Sequence, residues 1–297
     1  MTDSLLITDP VSDPVRAPAQ PKGLLVAIRQ NPTLCVGAVI LGAMACIALI
    51  APWIAGDPVL MQPIERLKPP SARFLFGTDN LGRDVFARTA YGARVSLMVG
   101  LTVAVLSVSI GLFIGLAAGY FRTVDAIVSR MLDGLMAIPA ILLAIALVSL
   151  TKGGVAVVIL AITIPEIPRV VRLVRSVVLT TREEPYVEAA ISTGTRVPQL
   201  LLRHILPSTL PPLIVQASYI CASAILIEAS LSFLGAGIPP EIPSWGNMIA
   251  GSRLFLGRAP WTVFCPGLAL ALVVLAVNLV GDGLRDRLDP RIARRMR

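Results

Sequence analysis

The sequence is poor in the residues that carry soluble chemistry. It holds one histidine among 297 residues. That removes most metal sites, and the only Ser-His dyad left would be built on His204. Charged residues make up 15% of the chain, where a soluble domain sits near a quarter. Aromatics are 5%, too few for a platform on which bases stack. The net charge of +8 therefore does not point to nucleic acid. Four cysteines, Cys35, Cys46, Cys221 and Cys265, all fall in apolar runs and read as small core residues rather than disulfide partners. No G-x-x-x-x-G-K-[ST] is present to cradle nucleotide phosphates. Nor is there an H-E-x-x-H or a G-x-S-x-G, so neither a zincin nor a nucleophile-elbow hydrolase is expected. We read a chain with no catalytic site, no metal and no cofactor of its own.

What the chain has is apolar length. It is 55% hydrophobic with a mean hydropathy of +0.79, which reads as an all-α polytopic membrane protein. The basic residues lie mostly in short loops and tails beside apolar runs, the positive-inside pattern. Residues 1–21 lack the basic start and apolar core of a signal peptide, and residues 1–33 read as a disordered cytoplasmic tail. Residues 34–54 form the first span, with Trp53 at the outer interface. Residues 55–94 read as an external amphipathic segment. In it Asp79 or Asn80 can cap a short helix, and Asp84 and Arg88 stand four apart.

Further spans are expected at 95–120, 131–150, 155–174, 211–231 and 262–280, six in all, with both termini in the cytoplasm. Ser107, Gly111, Gly115 and Gly119 recur every four residues, a stripe that lets a neighbouring helix come close. Pro139 should kink the third span and Pro165 and Pro168 the fourth. Glu166 and Glu228 are carboxyls inside apolar runs and so candidates for the translocation path. A pair with Arg169 is the plainer reading of Glu166. For Glu228 it is a hydrogen bond to a neighbouring helix. Trp245 and Trp261 suit an interfacial belt in an outer loop. Residues 285–297 form a basic cytoplasmic tail, closing a core of residues 95–284.

One polar-to-amphipathic stretch interrupts the second half: EEPYVEAAISTGTRVPQLLLRHILP, residues 183–207. Pro185 can open a helix, because its missing N–H is unpaired in a first turn anyway. Val187, Ala190 and Ile191 follow at helical spacing. Gly194 breaks the run. A second amphipathic piece places Leu200, Leu201 and Leu202 against Arg203 and His204, and Leu206-Pro207 closes it. The result is a compact two-helix knob with one apolar side and one polar side.

Glu188-Ala189-Ala190, then Gly194, then Leu206-Pro207 resembles the EAA loop of bacterial ABC importer permeases. His204 before Ile-Leu-Pro is what the peptide branch tends to show. The pieces GTDxLGRDVxxRxxxGARxSL (77–97), EAxLSFLGxG (228–237), PSWGxM (243–248), APW (259–261) and NLxGDGLRDxLDP (278–290) resemble the C-type permease subunit of dipeptide, oligopeptide and nickel importers. The Pro165–Arg169 segment departs from that pattern, since the family usually carries a Trp and a small polar cluster nearby.

The resemblance implies a type I importer permease in the bacterial inner membrane. It implies a coupling site of Glu188, Ala189, Ala190, Gly194, Arg203, His204, Leu206 and Pro207, docked on one of two ATP-binding-cassette subunits that hold ATP and Mg. A second, non-identical permease subunit and an extracytoplasmic binding protein complete the expected assembly. The cargo expected by resemblance is di- or oligopeptides, with nickel complexes and glutathione as close alternatives. An ion-coupled secondary transporter using Glu166 and Glu228 is the competing reading; no inverted repeat is visible to support it.

Overall fold

The computed structural model describes residues 32–151 and 153–288. The expected tails at 1–33 and 285–297 lie outside these residues, except that Pro32 opens the first helix and Leu288 ends the last. Among the described residues the structure is helical, with no strand beyond an isolated bridge between Thr78 and Asp84.

The helices are α1 (Pro32–Ile54), α2 (Val85–Tyr120), α3 (Arg122–Met136), α4 (Ala140–Ser149), α5 (Val155–Arg182), α6 (Pro185–Ser192), α7 (Val197–Leu200), α8 (Leu206–Phe233), α9 (Trp245–Ser252) and α10 (Trp261–Leu288). Four runs are long and apolar enough to cross a membrane: α1, α2, the run Val197–Phe233 and α10. The pair α3–α4, bent by 84° around Pro139, makes a fifth if counted as one crossing. Helix α5 has 28 residues but carries Glu166, Arg169, Arg172, Arg175 and Arg182. The multi-pass helical character expected from composition is therefore present, with four or five crossings on length and apolarity.

Two helices differ from expectation at prolines. At Pro139 the chain breaks into two helices, and the short turn expected before the third span is itself helical from Arg122. At Pro165 and Pro168 it does not break, and α5 runs through both. Packing accounts for the second case. The valines of α5 sit in the small-residue stripe of α2: a Cβ added to Gly111, Gly115 or Gly119 would lie 2.5, 2.6 and 2.6 Å from the Cβ atoms of Val170, Val174 and Val178. Both series climb by four, so α2 and α5 run parallel, in register over two turns. Val170, Val174 and Val178 are fully buried in the main core with Val99, Val103, Ile162, Ile205 and Ile220. That contact outweighs the cost of two missing N–H groups in the helix. Ion pairs tie α3 to the same helix: Arg172 to Asp133 at 2.6 Å, and Arg175 to Asp125 with one contact at 2.7 Å.

The segment before α2 is a folded cap rather than a separate amphipathic helix. Asp79 Oδ1 accepts from the N–H groups of Leu81 and Arg83 at 2.8 and 2.9 Å, and Oδ2 meets the Arg83 guanidinium at 2.7 Å. Asp84 is the N-cap of α2, accepting from Phe86 N–H. Arg88 turns away from Asp84 and is buried. Its Nη1 donates to the Pro58 carbonyl at 3.2 Å and its Nη2 to Pro240 at 3.5 Å, with Asp79 4.0 Å from Nε. The Lys68 ammonium beside Glu65 holds that carboxyl below the usual range.

Trp245 is not an interfacial residue: it is fully buried, and Nε1 donates to the Thr89 carbonyl at 3.0 Å. Trp261 Nε1 likewise donates to Thr78 O at 3.2 Å. Only Trp53, 81% exposed, has the bare ring an interface anchor needs. The four cysteines are unpaired. Cys221 and Cys265 are partly buried and pack against the core, as their apolar neighbours implied, whereas Cys46 is exposed.

Candidate functional site: the knob between α5 and α8

The knob begins where α5 ends. Glu184 has extended backbone angles, and Pro185 occupies the first turn of α6. Glu188 falls in that first turn, where a carboxylate complements the helix dipole. Helix α6 ends in a Schellman motif. Gly194, at φ +79°, donates to Ile191 O at 2.9 Å, and Thr195 N–H reaches back to Ala190 O at 3.1 Å. The expected glycine break is thus a closed, hydrogen-bonded turn.

Beyond it, Pro198 opens α7, and residues Leu201–Ile205 form a π turn that leads without a stop into α8. Leu206-Pro207 therefore opens the next helix instead of closing the knob, which corrects the boundary expected from sequence. Pro207 has no N–H and cannot join a regular ladder. The wider π turn just before it, closed by Leu206 N–H on Leu201 O, absorbs the mismatch.

The two pieces pack as one body. Val187 and Leu200 are almost wholly buried and, with Ala190, pack against Tyr120 at the end of α2. The Arg182 guanidinium stacks 5.1 Å above the Tyr120 ring and donates to Tyr120 O at 3.3 Å. Tyr186 OH lies 3.5 Å from His204 O and 3.4 Å from Ser208 Oγ, bridging α6 to the start of α8. Sequence reasoning missed Tyr120, Arg182 and Tyr186. Tyr186 stood in the quoted stretch, but only the folded turn shows which face its ring takes.

The outer face is mixed: Glu188, Ala189, Gly194, Arg203 and Pro207 are exposed together with Ile191 and Leu202, which their spacing had placed on the apolar side, while His204 and Leu206 are half-buried. A polar cleft of about 560 Å³ opens beside it, lined by Tyr120, Arg122, Asp125, Arg182, Glu183 and Glu188.

The two carboxyls of the apolar runs lie elsewhere. Glu166 is buried, its two oxygens 3.0 and 3.1 Å from Arg169 Nη1, with Ser223 Oγ of α8 at 3.4 Å. Arg169 is half exposed. Glu228 has no exposed surface. Its Oε1 accepts from Ser232 Oγ at 2.8 Å, whereas its Oε2 and Ser96 Oγ are buried without a hydrogen-bond partner.

Comparison with known proteins gives this arrangement a family. The family model described as "Binding-protein-dependent transport system inner membrane component" matches residues 107–294. A probable peptide ABC transporter permease protein, y4tQ of Sinorhizobium fredii, is 61% identical over 90% of this chain and 92% of its own length. The dipeptide transport system permease protein DppC of Alkalihalophilus pseudofirmus is 43% identical over 89% of this chain and 88% of its own. The di/tripeptide permease protein DppC of Pseudomonas aeruginosa is 40% identical over 95% and 96%. A solved structure of the MetNI methionine ABC transporter in inward-facing conformations aligns at 21% identity and a TM-score of 0.48, over 65% of this chain and 94% of that one. With a family model over more than half its length and relatives of this identity over nearly all of it, the chain belongs to the inner-membrane components of binding-protein-dependent transport systems, as a membrane subunit of an ABC importer.

Proposed function

We propose that this chain forms half of a translocation pathway for di- or oligopeptides and that the knob at residues 183–207 transmits ATP-driven motion to it. One observation carries the coupling reading: the knob buries Val187, Ala190 and Leu200 against Tyr120 while leaving Glu188, Ala189 and Arg203 bare. A helix pair packed on Tyr120 of α2 and continuous with α8 can pass a push to both spans. Its bare face, charged at Glu188 and Arg203 and apolar at Ile191 and Leu202, has the character of a docking surface. The cargo class rests on the peptide importers named among the relatives.

In this reading α5 is the sixth crossing. Its parallel run with α2 supports this, because the chain has to return through α3–α4 between them. Both termini and the knob then lie in the cytoplasm, and the cap around Arg88 faces outward. The partners are a second permease subunit, two ATPase subunits that hold ATP and Mg, and an extracytoplasmic binding protein that delivers the peptide. Closure of the ATPase pair moves two such knobs together and switches the open side of the pathway.

The test is Glu188→Arg. Reversing a central interface charge costs about 2 kcal/mol or more, roughly thirtyfold in affinity. The variant should reach the membrane in normal amount and lose co-purifying ATPase subunits. Full ATPase retention would refute the docking role.

A further inference from the structure

A second surface has a definite chemistry. Helix α2 shows two regimes along its length. Val85, Ala87, Arg88, Thr89, Ala90, Gly92 and Ala93 are buried, with Trp245 of α9 against Gly92 and Thr89. From Arg94 onward one face is bare: Arg94, Met98, Leu101 and Val105 are all exposed and lie on one side at helical spacing. This is an apolar stripe headed by a single guanidinium.

Beside the head of the stripe runs a groove of about 450 Å³ between α1 and α2, lined by Ala45, Ala48, Leu49, Val95, Leu97 and Met98, with Arg94 the one charged residue in its wall. No hydrogen bond or ion pair is made by Arg94 among the described residues. Exposed Trp53, one turn beyond Leu49 on α1, sits toward the same end, where an interface anchor belongs.

We propose that this groove holds one acyl chain of an anionic phospholipid, with the lipid phosphate on Arg94. Three features favour a lipid over a protein helix. The groove walls are alkyl side chains, matching hydrocarbon in an element that crosses the membrane. The guanidinium stands where the bare apolar face of α2 begins, the level at which a headgroup phosphate lies. Its planar fork suits two phosphate oxygens at once, and no carboxylate among the described residues pairs with Arg94 to compete. The preference for negative headgroups follows from the same point. A zwitterionic lipid brings its own cation to the phosphate, whereas an anionic one leaves the charge to be met by the protein. Such a lipid would wedge α1 against α2, which makes the site a means by which membrane composition reaches the permease core.

The experiment is native mass spectrometry on the full chain co-purified with its partner subunits, titrated with phosphatidylglycerol or with phosphatidylcholine of the same chain length. Wild type should hold a phosphatidylglycerol that Arg94→Gln binds about tenfold more weakly, the loss expected for one charge-assisted bidentate contact. Phosphatidylcholine binding should not change. Leu49→Trp, which fills the groove and keeps the charge, should lose the lipid as well. Thermal melting of both variants within a few degrees of wild type separates lost binding from lost folding. Inorganic phosphate at millimolar concentration should leave the lipid in place; displacement by it would reduce the site to an anion contact and overturn the acyl half of the proposal. Equal phosphatidylglycerol affinity in wild type and Arg94→Gln would overturn the proposal. So would a photocrosslinker at Met98 that captures a neighbouring permease helix and no lipid.

Discussion

At the scale of single residues, Gly194 and Glu228 separate conformation from charge. A Cβ on Gly194 would meet nothing within 4 Å, yet its φ is +79°. Replacement there is limited by backbone angle alone. Gly194→Val should cost on the order of 1–2 kcal/mol and re-aim α7, whereas Gly194→Asn, which tolerates the left-handed region, should transport nearly normally. Equal uptake by the two variants would remove the closed turn from the mechanism.

Glu228 is enclosed by this chain and bonded to Ser232, with Ser96 Oγ unpartnered. Glu228→Gln keeps the shape and an oxygen that can accept from Ser232, so peptide uptake and the melting temperature of the purified complex should hold. Glu228→Ala leaves a cavity and stranded hydroxyls and should cost about 1–3 kcal/mol, read as a lower melting temperature. Loss of uptake in the Gln variant at unchanged stability would instead support a role for the charge in the translocation path.

At the scale of elements, the contact of α2 with α5 decides how the spans assemble. Gly115→Leu drives a side chain into Val174, whose Cβ would lie 2.6 Å from even a single added carbon. The variant should assemble poorly, by about 1–3 kcal/mol for overpacking, and Val174→Ala should restore part of the loss. A strictly additive double variant in a melting experiment would mean that the two residues do not share the contact.

This stripe was legible in sequence because small residues every four positions have one mechanical meaning in lipid. The knob was legible for a similar reason: proline, then helical apolar spacing, then glycine. Its far boundary was not. Proline after leucine reads as a stop, and only the π turn at Leu201–Ile205 shows how the helix runs on. The cap was misread because Asp84 and Arg88 at i,i+4 invite a local pair. Arg88 instead satisfies carbonyls at Pro58 and Pro240, far apart in the chain. Periodicity carries no information about such partners. The burial of Trp245 was hidden in the same way, since its acceptor is the Thr89 carbonyl.

At the scale of the whole molecule, the proposed coupling places the cap and the knob on opposite sides of the membrane. Ser192 on the knob is exposed, and Ile64 in the cap is 91% exposed. In a background free of the native cysteines, an impermeant thiol reagent added to sealed cells should label Ile64→Cys and spare Ser192→Cys. The converse pattern would invert the topology. Ser244 would be a poor reporter, because it is buried and caps α9. The knob is proposed to link ATP hydrolysis to movement of the spans. The most direct measurement is ligand-stimulated ATP hydrolysis by the complex in proteoliposomes, wild type against Glu188→Arg, at ATPase concentrations high enough to restore binding. Basal hydrolysis should persist, and stimulation by the loaded binding protein should fall together with peptide uptake. Full stimulation with full uptake in the variant would contradict that role.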